Sequence, residues 1–66
     1  MTVGHFKKCI RGVGLDTHKK RGLEVLEVFD DNAPILTIRY QDIHSITSFR
    51  EWFNHEFREE YIPPLG

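Results

Sequence analysis

A single cysteine, Cys9, stands in a chain of 66 residues, so no disulfide can form within it. A chain this short buries only about 60% of the surface its unfolded form exposes, and small domains usually add a staple, a metal or a partner chain. The fold must therefore rest on one shared apolar core, and a second copy of the chain is the first supplement to expect. The lone thiol also argues against a disulfide-framed secreted module and for a reducing, cytoplasmic setting. Met1-Thr2-Val3-Gly4-His5 carries no apolar leader pattern, and no stretch reaches the ~20 apolar residues of a membrane span. Residues 1–66 are expected to form one small domain with no membrane contact.

The plainest element lies late in the sequence. Ser48 followed by Glu51 matches a capping box, in which the hydroxyl takes a backbone N–H and the carboxylate reaches back. Phe49, Phe53 and Phe57 then recur every four residues, flanked by Trp52 and Tyr61, and Pro63-Pro64 stops the run. This predicts an amphipathic helix. Upstream, Leu23–Phe29 is rich in β-branched and aromatic residues and reads as a strand. Its apolar side chains fall on both faces, Leu23, Val25 and Phe29 on one and Leu26 and Val28 on the other. Such a strand is central, or has one face against another subunit. Asp30-Asp31-Asn32-Ala33-Pro34 has turn composition, and Ile35–Tyr40 alternates as the next strand. Gln41–Ser45 reads as a short connection. His5–Val13 reads as a poorly alternating first strand, with Leu15–Arg21 as a loop closed by Gly22. The expected fold class is α+β: a three-stranded antiparallel β-meander followed by one C-terminal amphipathic helix packed on the sheet, in the order β-β-β-α.

Counting 100° per residue from Phe49 puts Phe53 at about 40°, Phe57 at about 80°, Tyr61 at about 120° and Trp52 at about 300°. The three phenylalanines suit a core. Trp52 and Tyr61 lie at the margins of the stripe and are the candidates for a partner interface. Glu56 and Glu60 fall near 340° and 20° by the same count, within the aromatic stripe. A carboxylate so placed needs either water at an overhanging helix end or a cation docked on it. Both glutamates therefore join the interface candidates.

The charges are segregated. Residues 1–22 carry Lys7, Lys8, Arg11, Lys19, Lys20 and Arg21 against one acid, Asp16, a formal +5. Residues 23–66 carry three arginines against nine acids, a formal −6, so the total of −1 conceals two opposed parts. The six cations are candidates for binding anions or a nucleic-acid backbone. Against that reading stand a pI near 6.4 and the lack of aromatic residues interleaved with the basic loop.

Reactive chemistry is sparse. No phosphate-binding loop or nucleophile elbow occurs, and Gly12-Val13-Gly14 lacks the third glycine of a dinucleotide site. His5, Cys9, His18, His44 and His55 are the conceivable metal ligands, but they lack the paired short spacing of structural zinc sites. The sequence therefore points to a small non-enzymatic protein–protein module without cofactor, a homodimeric regulator, inhibitor or adaptor that binds a second copy or another protein through the aromatic helix and the opposed charges. The alternative is a nucleic-acid-binding accessory factor.

Overall fold

Phe6, Cys9, Ile10 and Val13 recur at i, i+3, i+4 and i+7, and in the computed structural model, which describes residues 1–57, they build a helix. This helix, α1 (Val3–Gly12), replaces the strand expected over His5–Val13. Phe6 and Ile10 lie on its inner side and are fully buried. Thr2 starts it, its hydroxyl accepting the His5 N–H at 3.1 Å. At the other end the Leu15 N–H donates to the Ile10 carbonyl at 3.1 Å and the Gly14 N–H to the Arg11 carbonyl at 3.0 Å. That pair of bonds is a Schellman closure, and it requires the left-handed φ of 86° that Gly14 adopts. Leu15 then turns into the core beside Ile10.

The meander is present, but its first strand comes from the segment expected to be a loop. Strands β1 (Asp16–Lys19), β2 (Val25–Asp30) and β3 (Ala33–Arg39) form an antiparallel sheet in the order β1-β2-β3. β1 has no apolar pattern of its own; pairing of Thr17 with Val28 and of Lys19 with Leu26 fixes it as a polar edge. Lys20–Leu23 makes the turn into β2, with the Leu23 N–H on the Lys20 carbonyl at 3.3 Å and Gly22 at φ 77° in the third position. Leu23 is outside the strand and 56% exposed, so the strand starts at Val25. β2 is central, as its two apolar faces predict. Leu26 and Val28 are fully buried on one face, while Val25 and Phe29 are half-buried on the other.

Asp31 and Asn32 connect β2 to β3, and Asp31 takes the left-handed φ of 59° that a short polar side chain tolerates. β3 begins at Ala33, inside the expected turn. Val28 pairs with Leu36 but Phe29 with Pro34, so Ile35 is the extra residue of a bulge beside a proline that has no N–H to give.

Two further helices follow. Tyr40–His44 forms α2 in place of the expected connection, burying Ile43 completely. The amine of Met1 donates to the carbonyls of Ile43 (3.4 Å), His44 (3.2 Å) and Ile46 (2.8 Å), placing a cation where a helix end leaves acceptors open. α3 (Phe49–Phe57) is the predicted aromatic helix, and the Ser48 hydroxyl accepts the Glu51 N–H at 3.3 Å. Phe53 and Phe57 are buried, and Phe49 and Trp52 half-buried. Both Phe49 and Trp52 meet Phe6 edge-on, with centroids 5.9 and 5.1 Å apart. The fold is thus α+β with helices before and after the meander, not β-β-β-α with a lone helix. Leu26, Val28 and Ile38 of one sheet face share a single core with residues of all three helices. Pro63-Pro64, the expected stop, lies outside the described residues.

Candidate functional site

Helix formation over Val3–Gly12 changes what the basic segment presents. Counting 100° per residue from Phe6 sets Ile10 at about 40°, Lys7 at about 100°, Arg11 at about 140° and Lys8 at about 200°. The cations therefore occupy the side of α1 turned from the core, Lys8 and Arg11 exposed and Lys7 half-buried. Arg11 sits in the last turn, where a cation complements the negative helix end. α1 packs on β1, Lys19 ends that strand, and the turn that follows carries Lys20 and Arg21, all three exposed. The six sequence-predicted anion-binding residues are thus held on two adjoining elements, with Asp16 as the acid among them. His18 lies on the open sheet face, its ring edge-on to Phe29 with centroids 4.7 Å apart.

The acidic surface is built by α2, α3 and the link between them. A shallow cleft of about 380 Å³ opens there, lined by Asp42, Ser45, Ile46, Thr47, Ser48, Glu51, Trp52 and His55. Buried Ile46 anchors the link, so the hydroxyl-bearing residues beside it line the opening. Asp42 Oδ2 accepts from Arg39 Nε at 3.1 Å across one helical turn, with both side chains largely in water. Sequence reasoning missed this cleft. The available signal was Ser45-Ile46-Thr47-Ser48, one apolar anchor inside a polar link between two helical segments.

Of the predicted interface residues, Trp52 and Glu56 fall within the described structure, whereas Glu60 and Tyr61 lie outside it. Trp52 is fixed from within: its ring meets Phe6 at 5.1 Å and Phe57 at 6.0 Å, both edge-on. Its remaining surface borders the cleft. Glu56 is exposed. The stripe is centred on Phe53 and Phe57, the most buried rings of α3, so the nominal position of Glu56 falls at the open margin. Among the described residues no lysine or arginine of the same chain pairs with it.

Among the described residues no group of three or more His, Cys, Asp and Glu side chains gathers as a metal site. His5 and Cys9 lie on α1, with His18, His44 and His55 on three other elements. No helix among these residues is long and apolar enough to cross a membrane. Among them no polar or charged side chain is buried, so every titratable group described here meets solvent. What the arrangement offers chemically is recognition by charge: a cationic helix-and-turn surface and an acidic, aromatic-walled cleft. No protein-family model, curated protein or solved structure matches this chain.

Proposed function

We propose that the chain is a non-enzymatic protein–protein interaction module that works as a homodimer, joining its cationic surface to its acidic one across two copies. One observation carries this reading. Lys19 at the end of β1 and Lys20 and Arg21 on the turn after it are exposed, Glu51 and Glu56 are exposed on α3, and among the described residues these groups do not pair within the chain. Complementary charges left apart in one molecule give register and partner choice between two. The open sheet face, with Val25 and Phe29 half-buried on it, adds apolar surface to the same account.

Light scattering at micromolar protein tests this. A dimer mass is expected at low salt, falling toward the monomer in molar salt, where charges are screened beyond about 3 Å. A monomer mass at every salt concentration overturns the dimer.

The helical form of the basic segment favours a second reading, a nucleic-acid-binding accessory factor using Lys7, Lys8, Arg11, Lys19, Lys20 and Arg21. A helix with cations and no acid on its outer side can follow a phosphate backbone. Short DNA and RNA duplexes and single strands, added to the same low-salt preparation, separate the two readings. Binding that falls steeply with salt supports the second, and no binding removes it.

A further inference from the structure

We infer, on the homodimer reading, that the cleft between α2 and α3 receives the β1–β2 turn of a second copy, with Arg21 against Glu51 and Trp52. The cleft combines an aromatic wall with carboxylates at its rim. Trp52 supplies that wall: its ring packs against Phe6, Phe49 and Phe57 and borders the cleft. A guanidinium is the side chain that suits such a wall, stacking on the indole while donating in a fork to a carboxylate. Glu51 is exposed on the cleft, and among the described residues its side chain forms no ion pair. Asp42 is joined to Arg39 through Oδ2, so that pair is neutral overall and Glu51 carries the negative charge offered to the cleft.

The occupant is identified by charge complementarity within this same chain. Lys20 and Arg21 stand on a turn shaped by Gly22, and among the described residues neither has an ion-pair partner. In a dimer with a two-fold axis, each copy supplies one turn and one cleft. The contact then forms twice and the assembly closes. The Coulomb terms are modest at a wet surface, so matching of shape and sign, more than raw strength, sets the pairing.

Reversing the charges one side at a time tests the docking. Arg21→Glu alters an exposed turn, and Glu51→Lys alters the cleft. Each variant alone is expected to weaken the dimer at least about tenfold in sedimentation equilibrium. An equimolar mixture is expected to recover a heterodimer, since the acidic turn of one chain then meets the basic cleft of the other, and the reverse contact is the original one without a charge clash at Glu51. For the same reason R21E/E51K in one chain is expected to dimerise again. Near-UV circular dichroism from Trp52 checks that Glu51→Lys remains folded, and Arg21→Glu carries the test if it does not. A wild-type dimer that neither variant weakens overturns the docking and leaves the homodimer reading standing. Loss of the dimer without recovery in the mixture or the double variant also overturns it. A wild type that is monomeric throughout removes both.

Discussion

Gly12 and Gly14 stand two positions apart and carry different constraints. Gly12 closes the helical segment of α1 with ordinary backbone angles, and a Cβ there would meet nothing within 4 Å. Gly14 also has open space, but its φ of 86° is the left-handed conformation that ends α1. Gly12→Ala is expected to stabilise the protein by about 0.5–1 kcal/mol, because the unfolded chain loses freedom that the helix never used. Gly14→Ala is expected to destabilise it by about 1–2 kcal/mol through backbone strain alone. Urea unfolding of the two variants measures both signs; equal shifts would show that the Schellman closure does not hold in solution. At this scale much was readable in advance. Ser48 caps α3 as its hydroxyl and position predict. Gly14 falls between the segments read as strand and loop, and the sequence alone does not distinguish a loop glycine from one closing a helix.

Among the elements, legibility followed length and pattern. α3 was evident because aromatic residues every four positions and a capping serine point to the same structure. α1 was misread because Lys7 and Lys8 interrupt the apolar residues; the period of Phe6, Cys9, Ile10 and Val13 is helical, and the buried Phe6 and Ile10 obey it. β1 carries no signal at all, since Asp-Thr-His-Lys is placed by pairing with β2. α2 is five residues long, too short to nucleate alone, and forms because Ile43 is pulled into the core. Phe6 joins α1 to α3 by its contacts with Phe49 and Trp52. Phe6→Ala is expected to cost about 3–5 kcal/mol, comparable to the whole stability of a domain this small. Phe6→Leu keeps the site filled and loses mainly the ring contacts, at a cost of about 1 kcal/mol. Thermal unfolding followed by Trp52 fluorescence ranks the two; equal stability would mean that the ring cluster contributes nothing.

For the molecule as a whole, the charge split was readable in the sequence and the surfaces it creates were not. The cations needed α1 to be a helix before they shared one side. The acidic cleft takes Asp42, Glu51 and Trp52 from two helices and hydroxyls from the link, a grouping that appears only after folding. If association completes the protein, folding and assembly are linked by mass action. The midpoint of thermal unfolding is then expected to rise with protein concentration and to fall with salt. A midpoint independent of concentration across the micromolar range would argue against a dimer linked to folding.

The Phe6–Trp52 contact also bears on how the chain is made. The two rings belong to the first and last helices described, so neither finds its partner until the segment through α3 has left the ribosome. Before then Phe6 and Ile10 have only part of their cover, and the growing polypeptide carries an unfinished apolar surface until α3 emerges. Folding of this unit therefore waits for α3 to emerge, and truncation before α3 leaves a product whose first helix has lost the rings that seal it.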